Sequence, residues 1–307
     1  MNKERIKHLL SQSGWCGDDL LEEQQVYFGG KVLSLDIVLL HNLYPFAVVS
    51  IQELEAARER VIQWAKAIEV PFAFVTDGTN ILQFDIAADE VETCQKFPVP
   101  AELWSSLGRE WDERDPRLFP PCRKPEITLQ VHHVLAVSNA VEAVTNGERR
   151  VLLSMVRGSG SVFVALEIAC KLVRSGFCNR LLYLSNRQAQ VEFATHILEP
   201  FDQDLVVLNG EASAKLVQRV HLGTVSSFVA PVQGPGIQGF APDYYDLIIV
   251  ANADPISPMM PILEHFCNAA IIAFTGREPP DSEVIRFYGQ PKFIYSVEET
   301  VAVRALA

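Results

Sequence analysis

Short, almost wholly apolar runs alternate with stretches of helical period along this 307-residue chain. In the C-terminal half the runs fall at 150–155, 205–208, 220–225, 247–251 and 270–274, with helices predicted at about 130–146 and near 188–198. Strands buried on both faces and separated by helices predict a doubly wound parallel sheet. The organising stretch is residues 149–187, which reads strand, glycine turn, helix, strand. Its apolar run ends at Met155, the turn is Arg157-Gly158-Ser159-Gly160, and Val162, Leu166, Ala169 and Val173 fall on one helical face.

The N-terminal half has a different rhythm. Ile6, Leu9 and Leu10 predict a short amphipathic helix ending near Gly14-Trp15. Residues 31–40 (KVLSLDIVLL) and 44–51 (YPFAVVSI) read as two strands around a His41-Asn42 turn. Leu54, Ala57, Val61, Trp64 and Ile68 then recur at helical spacing, and residues 71–76 and 81–86 add strands. That order predicts an α+β domain. Prolines punctuate residues 97–125, where Trp104 and Trp111 suggest packing against something. The expected organisation is therefore a domain at 1–96, a connector at 97–125 and a second domain at 126–307.

Composition narrows the classes. Net charge is −12, which argues against broad nucleic-acid binding through a basic surface but leaves room for a local basic groove. Six cysteines show no CxxC pair and no metal-ligand spacing, so the expectation is reduced thiols in a cytoplasmic protein. The N-terminus lacks an apolar signal core and no run approaches membrane-spanning length, so no membrane insertion is expected.

A glycine turn opening a helix after a buried strand is the frame of a phosphate-binding loop. Such a loop needs a lysine at Ser161 to meet the phosphates and a serine or threonine at Val162 to hold magnesium. Residues 246–255 (DLIIVANADP) place Ala251 and Asn252 where a nucleotide hydrolase carries its acidic pair, and Asp254 comes too late to replace either simply. Asp36, in the first predicted strand, suits a nuclease carboxylate, but its partner strand offers Ser50-Ile51-Gln52 instead of Glu-x-Lys. Glu53, Glu55 or Glu59, with Lys66, form a rescue set for that centre. Weaker signals are read as structural: the GxGxxG at 234–239 as a flexible loop, and His132-His133 and His265/Cys267 as core or surface residues. Gly158-Ser159-Gly160 is too short for a nucleophile elbow, and Arg157 beside it can attract an anion.

The order of these stretches resembles the front part of the motor subunit of type I restriction enzymes. Gly14-Trp15, LDIVL, YPFAVVSIQ, Trp64-Ala65 and PFAFVTDG are similar to its nuclease-like PD-(D/E)xK domain, and FPVPAELW to its connector. NGERRVLLSMVRGSGS, YLSNRQAQVEFA, DLIIVANADP, AFTGREPP and FYGQPKFIYSVEETVAVRAL are similar to its first RecA-like lobe. The resemblance implies a restriction-endonuclease-like α+β domain followed by one RecA-like lobe, with the chain ending where a second lobe would begin. It puts the nuclease acid and lysine on Ser50 and Gln52, with Asp36 kept, and the adenine-reading glutamine on His133. The phosphate lysine and magnesium threonine fall on Ser161 and Val162, the acidic pair on Ala251 and Asn252, and the aspartate after the second strand on Asn186. In the coupling motif, Thr275 is followed by Gly276 and Arg277. Asp36, Ser50 and Gln52, residues 157–162 (Arg157, Gly158, Ser159, Gly160, Ser161, Val162), and Ala251 with Asn252 are thus expected to be vestigial. No catalytic residue, metal or cofactor is expected. The expected function is a catalytically inactive scaffold for a protein partner or larger complex. The alternatives are a nucleic-acid-binding protein without ATPase activity, or a nuclease or nucleotide binder with relocated residues.

Overall fold

The computed structural model describes residues 3–52, 54–122, 128–208, 217–229 and 236–304. Contacts divide the chain into two units, Met1–Phe119 with Thr128–Ser138 and Glu298–Ala307, and Pro120–Ile127 with Asn139–Val297.

The first unit runs α1 (Lys3–Gln12), β1 (Leu20–Phe28), β2 (Lys31–His41), β3 (Tyr44–Ile51), α2 (Leu54–Ala67), β4 (Phe72–Thr76), β5 (Ile81–Asp85), β6 (Glu90–Cys94) and α3 (Pro100–Ser106). Its six strands form one mixed sheet in chain order. Neighbours are antiparallel except β3 and β4, which are parallel because α2 returns the chain to the same end of the sheet. Alternation along the strands sends two apolar sets to opposite faces. Ile37, Leu39 and Phe46 join Ile6, Leu10 and Trp15 in one core cluster. Ala57, Val61 and Trp64 of α2 are buried at the spacing the sequence predicts. Trp104 is wholly buried, with ring contacts to Tyr44 at 5.1 Å and Phe46 at 6.0 Å. The hydrophobic pattern does not mark β1: the run Glu22, Glu23, Gln24, Gln25 hides a strand that pairs with β2 along its length.

The second unit continues from α4 (Val131–Thr145), inside which the division falls, through β7 (Arg150–Met155), α5 (Ser161–Ala169), β8 (Leu181–Ser185), α6 (Gln188–Ile197), β9 (Leu205–Leu208), β10 (Val220–Thr224) and α7 (Val225–Val229). It ends with β11 (Leu247–Val250), α8 (Met260–His265), β12 (Ala270–Thr275), α9 (Ser282–Tyr288) and β13 (Phe293–Tyr295), followed by α10 (Val297–Arg304). Seven strands make an all-parallel sheet in the order β13-β7-β12-β11-β8-β10-β9. All four residues of β11 and all five of β8 are buried, as strands covered on both faces must be. This is the parallel sheet that the alternation predicts, and it agrees with the RecA-like lobe that the resemblance implies. Of the GxGxxG stretch, Gly236–Gly239 forms a 3-10 turn, while Gly234 and Pro235 lie outside the described residues.

One expectation needs correction and one is extended. Leu166, Ala169 and Val173 are buried as the shared face predicts, but burial goes all round the helix: every residue of α5 from Phe163 to Ala169 is buried, including Glu167, and Lys171 beyond it is 1% exposed. The segment before α4 covers part of that surface, since the Cys122 backbone N–H donates to Glu167 Oε2 at 3.0 Å. The six cysteines are also not all free thiols, because Cys122 and Cys170 form a disulfide. Short-range spacing could not reveal it. The pair is 48 residues apart in sequence, and only the packing of that segment on α5 brings their Cα atoms to 6.0 Å. No helix of the described residues is long and apolar enough to cross a membrane.

Candidate functional site

Ligands of open parallel sheets sit at the carboxyl ends of the strands, and the second unit has a cavity of about 610 Å³ there. Each wall grows from one strand end. Beyond β7 the chain turns at Ser159, whose hydroxyl and N–H both donate to Val156 O, at 2.6 and 3.1 Å. Gly160 then takes φ +88°, a left-handed conformation that an L side chain resists, and α5 begins at Ser161. Beyond β8, Ser185 donates to Gln190 Oε1 at 2.6 Å and accepts the Arg187 N–H at 3.1 Å, fixing the entry to α6. Beyond β11, Ala251 donates its N–H to Leu184 O at 2.9 Å, and Asn252 Nδ2 donates to Asp254 O at 2.9 Å. Beyond β12, buried Thr275 donates to Asp254 Oδ2 and accepts the Arg277 N–H at 3.1 Å. Gly276 lies against Arg157: a Cβ there would stand 3.0 Å from Arg157 Cγ, so a side chain would require the arginine stem to shift.

The cavity therefore unites Arg157, Gly158, Gly160, Ser161, Val162, Ala251 and Asn252, which the sequence singles out separately. Ser159 is excluded from the lining and faces its own turn. Among the described residues the donor set does not fit a magnesium ion, because no Asp or Glu lines the cavity and Val162 has no ligand atom. Asp254 is the acid closest in sequence to Asn252; its Oδ2 is engaged by Thr275, and its buried Oδ1 has no partner among the described residues. Sequence reasoning passed over Arg187, Gln190 and Phe193, which also line the cavity. Their signal was available: they follow the end of β8 in a second strand–turn–helix frame.

In the first unit, Asp36 lies one step beyond the Ile37–Val49 pair, half-buried, and its Oδ2 accepts the Ile51 N–H at 2.8 Å. Among the described residues no group of three or more His, Cys, Asp or Glu side chains is placed to hold a metal. Ser50 is fully buried and accepts a hydrogen bond from Arg60 Nη2 at 2.9 Å, and the guanidinium lies over the Trp64 ring at 4.8 Å. A fixed cation thus stands where a divalent ion would need anionic donors. Arg60 carried no sequence signal beyond its position one turn before Trp64. Glu59 and Lys66 are exposed, whereas Glu53 and the side chain of Glu55 lie outside the described residues. Gln52 follows β3, half-buried. His133, in the first turn of α4, accepts the Gln130 N–H at its Nδ1, 3.3 Å, and Asn186 follows β8.

No protein-family profile matches the chain. Along 94% of its length it is 28% identical to the Type I restriction enzyme EcoAI endonuclease subunit of Escherichia coli. Over 66% it is 23% identical to the EcoKI endonuclease subunit of E. coli K12. A fragment assigned to the HsdR subunit of a type I restriction enzyme from Vibrio vulnificus YJ016 superposes with a TM-score of 0.70, at 24% identity over 95% of this chain. The chain resembles a type I restriction motor subunit. It shares the two-domain architecture of that subunit, a nuclease-like mixed sheet and a helicase-like RecA sheet. It spans only 40% and 19% of the two E. coli endonuclease subunits and 57% of the Vibrio chain.

Proposed function

We propose that this chain is a catalytically silent relative of the type I restriction motor subunit, acting as a protein-binding or scaffold component of a larger complex. One observation carries the reading. Neutral side chains stand at the positions matched to the phosphate lysine, the magnesium threonine, the acidic pair and the nuclease acid and lysine, with Asp36 alone kept, while β8 and β11 are fully buried and β7 is buried except at Arg150. Loss of one member of a phosphoryl-transfer site costs roughly 10³-fold or more in rate, and here the phosphate cation and both metal acids are replaced together. The nuclease-like sheet follows the same pattern, with Ser50 and Gln52 neutral and Arg60 bonded to Ser50. Partners are proteins in this reading because the similar E. coli chains are named as subunits of an enzyme.

The test is an assay of duplex DNA cleavage and ATP hydrolysis with magnesium and with manganese. The reading predicts neither activity above a heat-unfolded control. Metal-dependent scission or hydrolysis that is abolished by Asp36→Ala or by Ser161→Ala would refute it.

A further inference from the structure

We propose that the cavity at the carboxyl ends of β7, β8, β11 and β12 binds, without a metal ion, a small organic anion carrying an apolar body. The inference stands beside the scaffold reading and does not depend on it. Charge is the first support. The chain has 38 acidic against 26 basic residues, yet among the described residues the cavity lining contains two arginines and no Asp or Glu. Neither the Arg157 nor the Arg187 guanidinium has a hydrogen-bond or ion-pair partner among the described residues, and both residues are exposed. Two unpaired guanidinium groups over one hollow are a ready site for carboxylate, sulfonate or phosphate, which arginine meets with paired N–H donors.

Shape and polarity complete the assignment. A cavity of about 610 Å³ lies within the range of small-molecule sites and is larger than a bare inorganic anion requires. Much of its wall is apolar, from Met155, Val162, Phe163, Phe193, Ile197 and Phe274. Phe193 remains 54% exposed on α6, at the rim it shares with Arg187. An aromatic or aliphatic body against these side chains would remove that surface from water. A metal-bridged polyphosphate is disfavoured by the same wall, whose described residues offer a divalent cation no carboxylate oxygen.

The probe is 8-anilinonaphthalene-1-sulfonate, titrated by fluorescence against the folded full chain in EDTA. Its uncharged relative N-phenyl-1-naphthylamine serves as the control. One saturable site is expected, with the sulfonate bound about tenfold or more tightly than the neutral dye. Arg157→Ala and Arg187→Ala should each weaken the sulfonate about tenfold, Arg187→Lys should weaken it less, and magnesium should change nothing. Circular dichroism confirms that each variant is folded, so a variant that unfolds is replaced by its lysine counterpart. The assignment is overturned by absence of saturable binding, by equal affinity for the two dyes, by arginine variants that bind as the wild type does, or by a requirement for magnesium.

Discussion

His221 sits at zero exposure on β10, with Nδ1 2.7 Å from the Tyr245 hydroxyl and Nε2 3.0 Å from Gln218 O. Burial, assisted by the positive charge of Arg180 and partly opposed by the Gln218 carbonyl, pushes its pKa down to about 4. The unfolded chain then binds this proton at a higher pH than the folded one does. Stability contributed by neutral His221 is therefore fully present above about pH 6.5 and is lost as pH falls toward 4, by about 3 kcal/mol at most. Urea melts at pH 7 and pH 4.5 should show that loss, and His221→Phe should flatten it; an equal drop in the variant would reject the assignment. Cys178 is a second residue governed by burial: its thiol is pushed up to about 12, with Asp246 adding to the effect. Alkylation of the folded chain should label exposed Cys16 and Cys267 quickly and Cys178 last, read by peptide mass spectrometry.

At the scale of elements, the strand–turn–helix around Gly160 and the α2 stripe were legible because each has an unbroken period. β1 was not, because its burial depends on β2 and not on its own composition. The all-round burial of α5 was hidden for a similar reason, since the segment that covers it is distant in sequence. The same contact explains the disulfide. Denatured protein should therefore yield four alkylatable thiols without reductant and six with it. Cys122→Ser should lower stability by about 2–4 kcal/mol if the cross-link closes its 48-residue loop; six thiols without reductant would exclude the bond. The proline-rich stretch carries α3, and Arg109 and Arg117 lie over the Trp104 ring at 4.8 and 5.0 Å. Trp104→Ala should cost about 3–5 kcal/mol in a denaturant melt, as loss of a filled core site does. A change below about 1 kcal/mol would mean that this stretch does not contribute to the core of the first unit.

For the whole molecule, both sheets are complete, yet the side chains at the expected reaction centres are neutral or engaged by protein groups. Asp36 accepts a backbone amide, Ser50 an arginine, and the phosphate-loop frame leads into a cavity lined, among the described residues, by no acid. The candidate positions could be found from the sequence, since all but Asp36, which lies mid-strand, sit at or just past the end of an apolar run. What surrounds those positions could not, because Arg60, Arg187 and Phe193 gain meaning only through neighbours brought by the fold. The central claim is that no phosphoryl transfer survives at Ser161 and Val162. Its most direct test is phosphate release from Mg-ATP under single-turnover conditions, with the folded chain in excess and duplex DNA present. The account predicts a rate indistinguishable from buffer, unchanged by Ser161→Ala. Release above buffer that Ser161→Ala eliminates would contradict it.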